Sequence, residues 1–383
     1  MKRNLILTSL ALLFVGTATA QTTLSQEEPT LNRKIRNLGM GNIGVAIEGT
    51  ADSSPFYNPA GLNDLEKGRF QFLTNTADVS TGAFSLATDL KDLNKGIKNA
   101  TTDADKTRKF NEFIQKNTGK FQHFRYTLDI FNYARKNFAV GLLIDERLDL
   151  SFRDQSYPHF DVRNLGDATV YVSGAHAFWD KLLQAGFTLR PTVRFAVNEA
   201  DQQVTLSDVL GKNAAGNSLL SEQFKKIKDR RFGLGVDFGL KSNLAFEGFK
   251  QMKIYETLKP EAGFTWQDLG NTKFGRAPTN EQSISFGTAV HPAIWKLKNT
   301  VGLDFRGMNQ DRPFLAKTHF GIESKFPWIV SLRAGLSQGY FSGGATFDLW
   351  LAKLDAAVYY EEVGVETRQS GDLRIAAMLS FNI

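Results

Sequence analysis

Beyond about residue 120, apolar and polar side chains alternate along this chain with a period of two. In one segment Phe232, Leu234, Val236, Phe238 and Leu240 alternate with Arg231, Gly233, Gly235, Asp237 and Gly239. In another, Ala185, Phe187, Leu189, Val193, Phe195 and Val197 alternate with Gly186, Thr188, Arg190, Thr192 and Arg194. The C-terminus sets Leu373, Ile375, Ala377, Leu379, Phe381 and Ile383 against Arg374, Ala376, Met378, Ser380 and Asn382. Successive strand side chains point to opposite faces, so each segment is a strand with one apolar and one polar or glycine-rich face.

A soluble β-sandwich alternates too. Two features favour a transmembrane barrel instead. The strands are long, about ten to twelve residues against a usual five or six. Their polar face carries charges of both signs and many glycines, whereas the apolar face is large and aromatic, the arrangement of a wall between lipid and lumen.

The pattern predicts strands over Gly68–Ala87, Phe121–Tyr133, Phe138–Leu150, Ala168–Phe178, Leu183–Asn198, Arg231–Lys241 and Glu256–Gln267. It continues with Gln282–His291, Lys298–Met308, Ala316–Phe326, Ile329–Gln338, Ser342–Leu351, Lys353–Glu361 and Asp372–Ile383. The even total, fourteen, suits a single-chain bacterial barrel with both ends in the periplasm. Turns after even strands are then short and periplasmic, as at 134–137, 179–182 and 327–328. Loops after odd strands, 88–120, 151–167, 199–230 and 268–281, are long and external, and 242–255 is a longer periplasmic turn. This parity needs Gly68–Ala87 to be one strand.

Two external loops change period. Leu90, Leu93 and Ile97, then Phe110, Phe113 and Ile114, recur at three- and four-residue spacing, which predicts helices. Residues 205–228 repeat this with Val209, Leu210, Leu219, Leu220, Phe224 and Ile227. Such stripes either pack on the barrel rim or form an apolar groove where a hydrophobic ligand lands.

The first twenty residues read as a secretory signal: Lys2 and Arg3, an apolar stretch from Leu5 to Val15, and cleavage between Ala20 and Gln21. That apolar stretch is too short for a membrane anchor. The chain has no Cys, so it offers no lipoprotein site, disulfide or thiolate chemistry. Its formal charge of +6 becomes +4 without Lys2 and Arg3 (6 − 2 = 4), too small a balance to imply nucleic acid. The five His residues, 123, 159, 176, 291 and 319, lack metal-ligand spacing, and no nucleophile elbow or phosphate loop occurs. An enzyme is therefore not expected, and no cofactor or metal is.

Between the signal and the first strand lies "LGMGNIGVAIEGTADSSPFYNPAGL", residues 38–62. Gly39, Gly41 and Gly44 allow close backbone approach. Pro59 turns Asn58 away from helix, Asn58 caps the turn, and Gly61 lets it reverse. This stretch, followed by a Phe-rich strand, resembles the start of the FadL family of outer-membrane hydrophobic-compound transporters and the related PorV-like barrels. The segments "VDFGL" (236–240), "GFTWQDLGNTKFG" (263–275) and "HFGIESKF" (319–326) are similar to strand segments of the same superfamily. The resemblance implies a plug folded back into the barrel, carrying Gly39, Gly41, Asn58, Pro59, Ala60 and Gly61. It also implies binding of long-chain fatty acids or other hydrophobic molecules, which then leave sideways through the wall.

The assigned lumen face carries Arg190, Arg194, Asp237, Glu261, Asp304, Arg306, Glu323, Arg333, Asp348, Asp355 and Arg374. Mixed signs on neighbouring strands suggest paired charges that anchor a plug. A guanidinium can also clamp a carboxylate in two-point fashion, which makes Arg190 and Arg194 candidates for ligand or anchor residues.

The sequence thus predicts an all-β protein: a transmembrane antiparallel β-barrel of about 14 strands in the bacterial outer membrane. Residues 1–20 are the signal, 21–67 the leader and plug, and 68–383 the barrel. The expected function is passive uptake of hydrophobic small molecules such as long-chain fatty acids. The alternative is a non-transporting, PorV-like barrel that binds or shuttles a secreted protein. Expected partners are membrane lipid, a hydrophobic ligand and the outer-membrane assembly machinery, reached through the last strand with Phe381 and Ile383. The barrel is expected to be monomeric.

Overall fold

The computed structural model describes residues 33–153, 159–196, 203–205, 230–246, 251–294, 297–327, 329–349, 351–364 and 366–382. The signal, the Ala20/Gln21 cleavage site, the whole apolar stripe from Val209 to Ile227 and Ile383 lie outside the described residues.

Fourteen antiparallel strands close into one barrel. They are β1 (Arg69–Ser80), β2 (Phe121–Arg135), β3 (Phe138–Arg153), β4 (His159–Phe178), β5 (Leu183–Ala196), β6 (Arg230–Ser242) and β7 (Glu261–Gln267). The other half is β8 (Ser283–Val290), β9 (Leu297–Phe305), β10 (Thr318–Lys325), β11 (Val330–Ser337), β12 (Tyr340–Asp348), β13 (Ala352–Glu362) and β14 (Gly371–Asn382). Each pairs with its neighbours in sequence, and β1 pairs with β14 to shut the ring. Closure matters because an open edge would leave backbone groups unpaired in lipid.

Burial follows the alternation in the inverted sense of a membrane wall. On β5, Gln184, Gly186, Thr188, Arg190, Thr192 and Arg194 are buried in the interior, whereas Phe187 and Leu189 are exposed on the outside. On β14, Arg374, Ala376, Met378 and Ser380 face in, while Ile375 and Phe381 face out. The same outer surface carries Phe70, Phe124, Ile144, Val170, Phe286, Ile322, Leu332, Phe347, Leu354 and Val358, all exposed. An apolar girdle around a polar, charge-filled interior belongs in a bilayer, and a closed barrel of this kind belongs in the bacterial outer membrane. No described helix is long and apolar enough to cross a membrane.

Three boundaries differ from expectation. The segment read as Gly68–Ala87 is a strand only to Ser80. The chain then turns at Thr81–Gly82 into helix α2 (Ala83–Asn99). Leu86 begins the helical stripe here, seven residues before Leu93, so the helix claims the end of the presumed strand. The strand count is unaffected. The loop expected over 151–167 is mostly strand, because β3 runs to Arg153 and β4 starts at His159, paired residue for residue. Here Glu146 and Asn164 enter the outer face beside Leu150 and Phe152, since the wall has risen out of the lipid. The strand read from Glu256 starts at Glu261, after a short helix at Lys253–Leu258.

Among the described residues two external helices form, α2 and α3 (Asp103–Asn117). The Thr102 hydroxyl caps α3 by accepting from the Asp105 N–H at 3.1 Å. Leu86 of α2 and Phe110, Phe113 and Ile114 of α3 bury together with Phe152, and Leu93 and Leu150 pack against them. By strand alternation Leu150 and Phe152 lie on the outer face of β3, with Ile144 of the lipid girdle. The hairpin therefore clads the outside of the wall above the membrane and does not roof the lumen. Most of its apolar stripes are consumed in this packing, and Leu90 stays exposed.

Candidate functional site

The interior of the barrel is occupied. Residues 33–46 are buried without exception, as are most of residues 47–63. A single-turn helix, α1 (Ile35–Gly39), sets Ile35 and Leu38 against Ala357 and Tyr359 of β13 and Ala376 and Met378 of β14. The chain then follows the inner wall to a 3₁₀ turn at Pro59–Asp64, where Leu62 packs on Ala134 of β2 and Ala139 of β3.

Between these points the wall is shaped for backbone contact. Eight consecutive strands, β5 to β12, each place one glycine on the inner face along this path: Gly186, Gly239, Gly263, Gly287, Gly302, Gly321, Gly335 and Gly344. Gly186 pairs across strands with Gly239, Gly263 with Gly287, and Gly302, Gly321 and Gly335 form one row. A Cβ on Gly239 would stand 2.1 Å from Asn58 Oδ1, and one on Gly321 would stand 2.1 Å from the Met40 carbonyl oxygen. On Gly263 it would stand 2.2 Å from the Val45 carbonyl oxygen, and on Gly335 2.2 Å from the Gly41 N. A side chain there cannot coexist with the segment.

Polar contacts fix the register. Asp304 accepts from the N–H groups of Gly44 and Val45 at 2.6 and 2.9 Å. Arg306 donates to the Asn42 carbonyl at 2.7 Å, and His319 Nδ1 meets the Gly41 carbonyl at 2.9 Å. Arg36 grips Glu323 through two nitrogens, and Arg333 joins the same carboxylate at 2.8 Å. Arg33 holds Glu361 at 2.6 Å, Lys34 holds Asp129 at 3.0 Å, and Lys241 holds Asp64 at 2.6 Å. These charges are out of water, so each partner offsets the desolvation cost of the other.

Asn58 caps the 3₁₀ turn, its Oδ1 accepting from the Ala60 N–H at 3.0 Å. Its Nδ2 donates to the Val45 carbonyl at 2.6 Å and to the Leu240 carbonyl of β6 at 3.0 Å. One side chain thus ties the turn to both the preceding segment and the wall. Pro59 starts the turn, and Gly61 lies against Gly49. Gly39 sits against Gly344, and Gly41 has a φ of +65°.

Arg190 and Arg194 both face inward, and the interior gives each several partners. Arg190 meets Asp237 at 2.7 Å and Asp268 at 3.0 Å. Arg194 donates to both oxygens of Asp167, at 2.8 and 2.7 Å, and to Asn280 at 2.9 Å. Its guanidinium also lies 3.9 Å from the centre of the Phe274 ring.

Phe274 belongs to an element that periodicity did not reveal. In the loop between β7 and β8, short strands Thr272–Phe274 and Ala277–Asn280 form a small hairpin. Phe274 is fully buried with Leu165, Ala196 and Ala277, and fills the space left by Gly233 of β6. The hairpin folds inward over the external side of β4–β6. Its signal was the pairing of "NTKFG" with a glycine on the facing strand, visible only once the strands are side by side.

The remaining wall, β1–β4 with β13 and β14, meets the segment through side chains, as in Leu62 on Ala134 and Ala139 and Lys34 on Asp129, and elsewhere pairs its own side chains. Arg125 donates to both oxygens of Asp145, and Thr127 joins them. His123 meets Asp149 at 2.6 Å, Arg147 meets the same carboxylate at 2.8 Å, and Tyr359 donates to Asp78.

No protein-family model matches the chain, and no curated protein matches it in sequence. Among solved structures it is similar to the CymD monoaromatic hydrocarbon channel, with 11% identity, TM-score 0.46, and 95% of this chain and 98% of that one covered. It is similar to the toluene transporter TbuX of Ralstonia pickettii, with 12% identity, TM-score 0.47 and coverages of 90% and 96%. It is also similar to the toluene transporter TodX of Pseudomonas putida, with 11% identity, TM-score 0.45 and coverages of 90% and 97%. At these identities the likeness is one of fold.

Proposed function

We propose that the protein is an outer-membrane channel for hydrophobic small molecules, with residues 33–67 as a resident plug. The observation that carries this reading is the match between the N-terminal segment and the glycine track that receives it. A general porin keeps its lumen open to water; this wall is moulded to a folded segment. A solute that crosses such a barrel must move along packed protein surface, which suits an apolar molecule that gains by leaving water. Arg190 and Arg194 serve as anchors: Arg190 holds the wall together through Asp237 and Asp268, and Arg194 holds the Phe274 hairpin. Long-chain fatty acids are the substrate class to test first, with monoaromatic hydrocarbons beside them.

Uptake by cells that carry or lack the barrel tests this directly. Long-chain fatty acid or hydrocarbon uptake is expected to fall when the barrel is removed, and unchanged uptake of every hydrophobic compound tried would overturn the reading. Deleting residues 38–62 tests the plug separately. An assembled barrel with raised ion conductance in planar bilayers is expected; an equally tight barrel would place the seal elsewhere.

A further inference from the structure

The two external helices carry similar numbers of cations and treat them oppositely. On α3, Lys106 pairs with Asp103, Arg108 with Asp105 and Glu112, and Lys109 with Glu112. Lys116 reaches across to Asp89 of α2 at 2.7 Å. On α2, Lys91, Lys95 and Lys98 are all exposed, and among the described residues none forms an ion pair or hydrogen bond. At 3.6 residues per turn, positions 84, 88, 91, 95 and 98 fall within a strip about 80° wide. The strip lies opposite Leu86, Leu93 and Ile97, and opposite Gly96, where the stem of Lys109 on α3 comes closest. The remaining acids of the helix are Asp89, held by Lys116 and Asn117, and Asp92, beside the strip.

At the foot of the same strip stands Phe84, 69% exposed. A large aromatic ring in line with three lysines has no packing explanation within the protein. Helix α2 leaves β1 directly through Thr81 and Gly82, and its first turn rests on Gln122 of β2, which is buried although it lies on the outer side of the wall. The foot of α2 is therefore at the outer surface of the barrel, beside the lipid-facing ring of Phe124. An aromatic ring and cations on one strip of one helix are what meets a bilayer surface when the helix lies along it: the ring in the acyl boundary, the ammonium groups among the headgroups.

We propose that this strip, Phe84 with Lys91, Lys95 and Lys98, is a binding surface for the phosphate groups of anionic lipids in the surrounding leaflet. Phe84 enters the acyl boundary and the lysines lie among the headgroup phosphates. This contact is independent of what passes through the lumen. Its strength follows surface electrostatics: each lysine near an anionic surface contributes about fivefold in affinity, and added salt weakens it.

Because the chain lacks cysteine, Thr88→Cys places one fluorophore in the strip. The labelled barrel is reconstituted into brominated phosphatidylcholine alone, or into equal parts of that lipid and phosphatidylglycerol. Quenching by the bromines is expected to be strong only with phosphatidylglycerol, to fade in high salt, and to be lost in K91Q/K95Q/K98Q. Phe84→Ser keeps the charges and is expected to reduce quenching at low salt by withdrawing the foot. Heat-modifiable gel mobility identifies folded barrels in every sample. Equal quenching in both membranes, or quenching that neither salt nor the lysine replacements change, overturns the proposal. The salt series on the otherwise native chain decides the matter even if the triple variant fails to assemble.

Discussion

The inner wall solves the problem of a filled barrel in two ways. Along the path of the N-terminal segment, strands β5–β12 each offer one glycine, so the segment lies close against them between charged contacts such as Asp304 and Glu323. Strands β1–β3, β13 and β14 rely on side chains instead: they bury wall pairs such as Arg125–Asp145 and Arg147–Asp149 and hold the segment through Lys34–Asp129 and Arg33–Glu361. The first surface recognises a shape, and an added methyl group at Gly263, Gly321 or Gly335 would overlap the backbone of the segment. The second is a network in which each ion depends on its partner. Shape admits the segment, whereas charge fixes its register and holds the wall together.

The largest expected effect comes from breaking the shape. Gly239→Leu or Gly321→Leu is expected to expel the segment locally and raise single-channel conductance well above that of the native barrel. Overpacking of this kind ordinarily costs about 1–3 kcal/mol, and backbone contacts that cannot yield push it higher. Gly343→Ala is the control, since the nearest atom to its Cβ, the Arg333 carbonyl oxygen, is 3.7 Å away; conductance and thermal unfolding should not change.

Breaking charge should affect stability more than tightness. Arg125→Met leaves Asp145 buried with a hydroxyl partner alone among those described, and removal of one member of a buried pair costs about 3–5 kcal/mol. Thermal unfolding monitored by gel mobility should fall, with conductance near native. If Arg125→Met leaks as much as the glycine variants, the division between the two halves fails.

Lys34→Met sharpens the comparison, because Lys34 belongs to the segment and Asp129 to the wall, at 3.0 Å. It should produce both a drop in stability and a moderate leak. Lys34→Met combined with Asp129→Leu should recover most of the stability, since replacing both ions of a buried pair with apolar groups is close to neutral.

The smallest effect lies outside the membrane. The Lys116 ammonium that hydrogen-bonds Asp89 holds its carboxyl below the usual carboxylate range. A depressed carboxyl contributes stability above the unfolded value of about 3.9, and that contribution disappears as pH falls through the lower folded value. Hydrogen-exchange protection factors of α2 and α3, corrected for the intrinsic pH dependence of amide exchange, should therefore be constant from neutral pH to about 5 and fall only below about 4. Lys116→Met should abolish the acid-dependent part. A hairpin that loosens already near pH 6 would point to a different titrating group.

Much of the wall could be read from sequence, because a strand between lipid and lumen must alternate at every step. The strand count and the inward placement of Arg190, Arg194, Asp237 and Arg374 follow from that period. Boundaries were misread where the period stops carrying information. At Thr81–Gly82 a helix inherits the strand's apolar residues, and above the membrane the outer face of β3 and β4 mixes Glu146 and Asn164 with residues that the hairpin covers. The inward hairpin around Phe274 was illegible because its partner niche, Gly233, is about forty residues away in sequence.

What the sequence determined by itself was the wall: period two, an even number of strands, and a turn-forming segment ahead of the first. These are local consequences of which faces meet lipid. Only the tertiary structure decided what the glycines are for. Each appears in sequence as one more polar-face residue, and the track exists only when eight strands stand side by side in register with residues 39–60 against them. Contacts between residues hundreds of positions apart, such as Arg36 with Glu323, leave no trace in the local pattern. Closure of the barrel brings them together.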